Sequence, residues 1–268
     1  MITPDRLEGY LRHSAGLGRE TVEIPPFVIF IDPDDPLRFF NYAHPLEPIA
    51  GDLEPLARRL AEPLTALRAI FSARGRTPRF EYVEEFAPHL GAALASAGFA
   101  QDGRYPLLVC DPQSYRTAPV VRGLKIQPLA AEGSPSGELR DFLSVERQGF
   151  DHRATEEVTE EDCEALRDDI RRGGLAFLAF LSGQPAGIAS CSAPWDGLTE
   201  LTGITTLPAY RGRGIATAIT AAAAQAAFGR GVEAAFLTAG DGEAGRIYQR
   251  VGFRPYATAL AYWAPTSP

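Results

Sequence analysis

The sequence predicts an α/β chain, in the α+β sense, made of two domains of helix and sheet. Three observations predict it. Short β-branched and aromatic runs alternate with stretches whose apolar residues recur at helical spacing. Tight turns join consecutive apolar runs, which requires antiparallel neighbours in the sheet. A Pro- and Arg-punctuated connection, Asp111 to Pro119, interrupts the chain and puts a domain boundary near residue 120. The expected domains are 1–120 and 121–268, and the 268 residues, 45% of them hydrophobic, let each half bury a core without a staple.

The second half is the more legible. Leu124 to Leu129 reads as a strand, and Gly133-Ser-Pro-Ser-Gly137 as a loop whose order does not match a G-x-S-x-G nucleophile elbow. Leu139 to Phe150 and Glu160 to Arg171 read as helices, with Leu139, Phe142, Leu143 and Cys163, Leu166, Ile170 on their apolar stripes. Thr159 with Asp162 resembles a capping box built on a shorter acid. Leu175 to Leu181 and Ala186 to Ser192 form a hairpin about Ser182-Gly183-Gln184-Pro185. A second turn, Pro194-Trp195-Asp196-Gly197, leads to a strand from Thr199 to Leu207, which Pro208 ends because it has no amide to donate. An alanine-rich helix from Gly212 to Phe228 closes on Gly229 and Gly231. Strand Ala234 to Thr238, helix Glu243 to Arg250, the cap Gly252 and strand Thr258 to Trp263 complete the order β-α-α-β-β-β-α-β-α-β.

The first half echoes the end of that order. Phe80 to Val83 reads as a strand, Pro88 to Ala97 as a helix followed by Gly98-Phe99, and Tyr105 to Cys110 as a strand.

Composition narrows the function. The formal net charge is −8, with no dense Lys/Arg block, which argues against a nucleic-acid partner. Cys110, Cys163 and Cys191 are scattered, as are His13, His44, His89 and His152, so neither a disulfide framework nor a metal site is expected. The N-terminus has no basic segment followed by an apolar run, and the longest apolar stretch, Leu175 to Leu181, is far short of the roughly 20 residues of a membrane span. A cytoplasmic protein without a membrane partner is expected, and a homodimer is left open.

The chemistry concentrates at Arg211-Gly212-Arg213-Gly214-Ile215-Ala216, between a strand and a helix. The first amides of a helix lack internal partners and its dipole is positive there, a ready anion site. Gly212 and Gly214 let an anion approach the main chain, and Arg211 and Arg213 add charge. A glycine turn that merely connects strand to helix has the same spacing. A dinucleotide fold is also weighed, since Glu233 falls roughly 20 residues further on. Glu233 precedes its strand, the third glycine is missing and the hairpins oppose a parallel sheet, so that reading is rejected.

The segment Leu201-Thr-Gly-Ile-Thr-Thr-Leu-Pro-Ala-Tyr-Arg-Gly-Arg-Gly-Ile-Ala216 resembles the acetyl-CoA motif of the GNAT superfamily of N-acyltransferases, an R/Q-x-x-G-x-G/A loop after a Pro-terminated strand. Ala244-Gly-Arg-Ile-Tyr248-Gln-Arg-Val-Gly252-Phe253 resembles the same superfamily's A-x-x-hydrophobic-Y-x-x-hydrophobic-G-F signature. The resemblance covers about residues 124–263 and extends more weakly to the first half. It implies two tandem GNAT-like domains, each a mixed, mostly antiparallel sheet flanked by helices. In the first, Arg74-Gly75-Arg76 is followed by Thr77-Pro78, lacks the second glycine, and implies no cofactor site.

Carried onto this sequence, the resemblance implies that the backbone of Ile204, Thr205 and Thr206 meets the pantetheine arm of acetyl-CoA. Arg211, Gly212, Arg213, Gly214, Ile215, Ala216 and Thr217 would hold its pyrophosphate. Asp241 stands where the family often has Asn, seven residues before Tyr248, and accepts but does not donate a hydrogen bond. The reaction implied is direct attack by an amine on the thioester. Tyr248 is nominated as the acid that protonates the leaving thiolate, although it also sits on an apolar stripe with Ala244, Ile247 and Val251. Glu200 is nominated as a base acting through water, with His152, flanked by Asp151 and near Glu156, as runner-up. A backbone N–H of Ile204 to Thr206 would meet the oxyanion. Trp195 reads as a turn residue. The acceptor is a small-molecule amine or a protein N-terminus, and the rival is an acetyl-CoA-binding or scaffold protein without catalysis.

Overall fold

The computed structural model describes residues 1–150, 157–240 and 242–264, the side chains of 242 and 243 excepted. The chain forms two compact units, Met1–Leu107 with Tyr256–Pro268, and Leu108–Pro255.

The first unit contains α1 (Pro4–Gly16), β1 (Glu20–Ile24), β2 (Phe27–Ile31), β3 (Tyr42–Pro45), α2 (Leu53–Ala73), β4 (Arg79–Val83), α3 (Leu90–Ser96) and the start of β5 (Ala100–Cys110). Everything before β4 escaped the sequence reading. Thr3 caps α1 by accepting from the Arg6 amide at 3.2 Å, and Pro4 follows at the first helical position, where its missing N–H costs nothing. β2 is buried at all five positions, so it has no alternation to betray a strand. Beneath the sheet, His44 Nδ1 and Glu8 Oε1 lie 2.7 Å apart, both almost fully buried, while Glu8 Oε2 accepts from the Val83 amide at 2.7 Å. Arg74-Gly75-Arg76 follows the end of α2, with Arg74 as its C-cap. That is the negative end of the helix dipole, the wrong pole for an anion.

The second unit contains β6 (Leu124–Pro128), α4 (Ser136–Phe150), α5 (Glu160–Arg171), β7 (Leu175–Leu181), β8 (Gln184–Cys191), β9 (Leu198–Thr206), α6 (Ile215–Gly229), β10 (Ala234–Thr238) and α7 (Gly242–Val251), and the chain then enters β11 (Arg254–Trp263). This is the order read from sequence. Its strands run β10-β9-β8-β7-β6, parallel at β10/β9 and antiparallel elsewhere. In the first unit β1-β2-β3-β4-β11 is likewise antiparallel except at β3/β4. Each unit is a mixed, mostly antiparallel sheet flanked by helices.

Local chemistry accounts for the turns. Ser182 and Gly183 have φ of 52° and 83°, and Asp196 and Gly197 have 48° and 72°, so both hairpins use two-residue loops with positive φ, which match the strand twist. Trp195 and Leu198 exchange both backbone hydrogen bonds across the second, which makes Trp195 a turn residue. The Thr159–Asp162 capping box forms in both directions, at 3.2 and 2.7 Å. Behind the sheet, the alanines of α6 let the helix approach closely, and Ala221, Ala223 and Ala224 are buried in one cluster with Cys191, Leu201, Ala235 and Leu237.

The connection Asp111 to Pro119, where the boundary was expected, lies inside the second unit. The Arg116 amide donates to the Val251 carbonyl at 2.8 Å and the Tyr115 hydroxyl to the Ala221 carbonyl at 3.3 Å, fastening the connection there. At the other end, Ala259 to Trp263 of β11 pair antiparallel with Val83 to Arg79 of β4, which places the last strand in the first unit. Neither bond partner is near in sequence, so local pattern carries no sign of either. Among the described residues no helix is long and apolar enough to cross a membrane.

Candidate functional site

The loop that drew attention in the sequence lies between β9 and α6. A single turn, Pro208–Tyr210, follows the strand, and Gly212 and Gly214 then adopt φ of 74° and 81°. This left-handed region is costly for any residue with a Cβ. Gly214 is the N-cap of α6, and the first bond along the axis is Ala218 N–H to its carbonyl at 3.0 Å. The amides of Ile215, Ala216 and Thr217 precede that bond and form the open end of the helix. A Cβ on Gly212 would meet nothing within 4 Å, so the space above the loop is free for a ligand.

That space is a cleft of about 470 Å³. One wall is Ile204, Thr205 and Thr206 of β9, the floor is Arg211 to Thr217 without Arg213, and the other wall is Ala244, Arg246, Ile247, Tyr248 and Arg250 of α7. The cleft exists because two strands separate. β9 and β10 pair from Leu198–Ala234 to Glu200–Phe236 and no further among the described residues. On its other edge β9 carries an irregularity: Ser190 pairs with Thr202 and Ile188 with Thr205, so Gly203 and Ile204 oppose Ala189 alone. Such a bulge leaves a residue out of the ladder and bends the strand, and Gly203, with φ of 61°, permits it. The Thr206 hydroxyl, on a side chain over nine-tenths buried in the cleft wall, has no hydrogen-bond partner among the described residues.

The nominated residues fall as follows. Tyr248 is half-buried in the cleft wall, its ring edge-on to Phe253 at 6.3 Å, so it serves both the apolar stripe and the cleft. Glu200 holds the last paired position before the strands part, half-buried, and is not among the residues lining the cleft. Arg211 turns to main-chain carbonyls, donating from Nε to Thr206 at 3.1 Å and from Nη2 to Gly149 at 3.5 Å. Arg213 donates to the Ala209 carbonyl at 3.3 Å and lies over the Tyr210 ring. Asp241, Asp151, His152 and Glu156 lie outside the described residues.

Sequence reasoning passed over several residues. Arg246 and Arg250, four apart on α7, bring two exposed cations to the cleft, and their i, i+4 spacing was available as a signal. Glu146 of α4 reaches Gly203 at the bulge: its Oε1 lies 3.2 Å from where a Gly203 Cβ would stand. Burial holds the Glu146 carboxyl above the usual carboxylate range, Asp169 adds to this, and Arg147 opposes it. No local pattern marks that residue, because its meaning depends on a contact between α4 and β9.

An open strand edge and a glycine-capped helix N-terminus thus share one cleft. Residues 138–253 match the Acetyltransferase (GNAT) family. That family takes acyl-coenzyme A and passes the acyl group to an acceptor. A GCN5-related N-acetyltransferase from Kribbella flavida is 26% identical, covering 100% of this chain and 97% of its own, with a TM-score of 0.81. One from Sphaerobacter thermophilus is 14% identical over 97% of this chain and 86% of its own, TM-score 0.70. A tandem GNAT protein from the clavulanic acid biosynthesis pathway is 14% identical over 90% of this chain and 79% of its own, TM-score 0.64. The whole-chain matches extend the GNAT-like fold to the N-terminal half, making the chain a tandem. No curated protein matches it in sequence.

Proposed function

We propose that the C-terminal unit moves an acetyl group from acetyl-CoA to an amine. The observation that carries this reading is the single cleft joining the α6 N-terminus to the unpaired edge of β9. The residues fit coenzyme A: open amides and two left-handed glycines suit a pyrophosphate, and the unpartnered Thr206 hydroxyl with the free strand edge suits an amide-bearing arm. In this reading Gly212, Gly214 and the amides of Ile215 to Thr217 hold the pyrophosphate, and Arg211 braces the loop from beneath. Arg213 and Asp241 are assigned further contacts to the cofactor. Ile204 to Thr206 align the thioester, with a backbone N–H facing the oxygen on which charge develops.

Tyr248 then protonates the departing sulfur, and Glu200 withdraws the amine's proton through water. The N-terminal unit is a GNAT-like domain that holds no coenzyme A, and transfer belongs to the C-terminal unit alone. The acceptor is a small amine or a protein N-terminus, and the protein works in the cytoplasm. A second reading, coenzyme A binding without catalysis, draws on Glu200 standing outside the cleft lining.

The test is calorimetry with coenzyme A together with thiol release from acetyl-CoA over a panel of amines. Wild-type protein is expected to bind and transfer. Gly212→Val with Gly214→Val is expected to abolish binding while circular dichroism stays native. Binding that survives this double change removes the pyrophosphate assignment. Binding without transfer to any amine favours the second reading.

A further inference from the structure

Gly149 and Gly203 bring α4 unusually close to β9. A Cβ on Gly149 would stand 2.3 Å from Thr205 Oγ1, so the helix rests directly on the strand. Three residues earlier on α4, Glu146 lies across Gly203 with Oε1 3.2 Å from the vacant Cβ position, and Ser190 Oγ and Ile188 Cδ1 stand 3.6 and 3.5 Å from the same point. Gly203 is the bulge residue and adjoins Ile204 of the cleft wall. The carboxylate is therefore held over the bulge of β9, three residues beyond the last position that pairs with β10.

Among the described residues no donor hydrogen-bonds this carboxylate, and the charges acting on it are Arg147, its chain neighbour, and Asp169 of α5, another anion. Withdrawing a carboxylate from water without a donor is costly, and the cost is recovered when a ligand brings charged N–H groups.

We propose that Glu146 is the acceptor-binding carboxylate, receiving the N–H groups of a cationic primary amine at the edge of the bulge. The proposal rests on the acetyl-transfer reading and specifies its substrate class: an alkylammonium ion in preference to an uncharged arylamine or a hydroxyl. Bound at Glu146, the ammonium gives one proton to the water through which Glu200 acts. The neutral nitrogen forms the C–N bond, the C–S bond breaks, and the sulfur takes a proton from Tyr248. The nitrogen's second proton leaves through water, and Tyr248 is reprotonated from solvent. One ammonium and one acetyl-CoA become one amide, one coenzyme A thiol and one proton.

The test uses the full chain, acetyl-CoA, a panel of primary alkylamines (benzylamine, spermidine, lysine amide) and aniline as the uncharged counterpart. Glu146→Gln is expected to raise KM for the alkylamines about tenfold or more, with kcat for aniline and coenzyme A affinity within about twofold. Glu146→Asp is expected to recover part of the loss. Equal loss on charged and uncharged acceptors, or an unchanged alkylamine KM, overturns the proposal. Wild-type protein that binds coenzyme A but acetylates no amine overturns the transfer reading instead. Glu146 is then judged by calorimetry of the same alkylammonium ions on coenzyme A-loaded protein: binding lost in Glu146→Gln upholds it, and no wild-type binding overturns it.

Discussion

Gly149 of α4 and Thr205 of β9 are in such close contact that no other residue fits at 149 without movement: an added Cβ would lie 2.3 Å from the Thr205 Oγ1 and 2.5 Å from its Cγ2. Gly149→Ala is expected to push α4 away from the strand and lower stability by about 1–3 kcal/mol, the usual cost of overpacking. Thr205→Ala removes the two nearest atoms and leaves only the Cβ, 2.9 Å from the added one, so the double variant is expected to regain part of the loss. Thermal unfolding of the two singles and the double gives the coupling directly. Additive effects would mean that the helix is not seated on Thr205.

A second close approach fixes the end of α7. Gly252 has φ of 103°, and a Cβ there would stand 2.0 Å from the carbonyl oxygen of Ser114. Beside it the Val251 carbonyl accepts from the Arg116 amide. Gly252→Ala combines left-handed strain of about 1–2 kcal/mol with a clash against main chain that cannot turn aside. It is expected to lower the yield of folded protein and the denaturant midpoint more than Gly245→Ala, where an added Cβ meets no atom within 4 Å.

Gly252 also shows how much was legible beforehand. Its place after a helix marked it as a cap, which is local chemistry that sequence spacing carries. Its contact with Ser114 is a tertiary relation between segments far apart in the chain, and spacing carries none of that. The same division runs through the site. Gly212, Gly214 and the strand–loop–helix frame were readable, because positive φ and helix N-termini have residue signatures. The parting of β9 from β10 and the bulge at Gly203 were not, because a strand's pairing leaves no trace in its own alternation. Arg211 shows the limit from the other side: its charge beside a glycine loop suggested phosphate, yet its guanidinium braces the carbonyls of Thr206 and Gly149.

Tyr248 is where core and catalytic readings meet, and the phenylalanine variant separates them. Phe keeps the edge-on contact with Phe253 and the packing against the apolar cluster, and removes only the hydroxyl. Tyr248→Phe is expected to lower kcat by about a hundredfold, the lower range for losing general acid catalysis, with coenzyme A affinity within about twofold. Steady-state rates on any accepted amine, with calorimetry alongside, decide it. A variant with wild-type kcat would leave Tyr248 a packing residue only.

The cysteines give a prediction that bears on every such assay. All three, Cys110, Cys163 and Cys191, are buried. Burial pushes the Cys110 thiol up to about 11 and the Cys191 thiol up to about 12, and burial also raises Cys163. Raised thiols stay neutral in the folded protein, so their contribution to stability is complete below the unfolded value of about 8.5 and is lost as pH rises toward 11 and 12. At pH 8 the folded chain is expected to show no rapidly reacting thiol toward a disulfide reagent, and three after denaturation. Between pH 9 and 10 the reaction is expected to follow the rate of opening rather than reagent concentration, since the thiolate forms only once the core is breached. Thiol release at pH 8 then reports coenzyme A alone. A fast-reacting protein thiol at that pH would show that one of the three is reachable from solvent without unfolding.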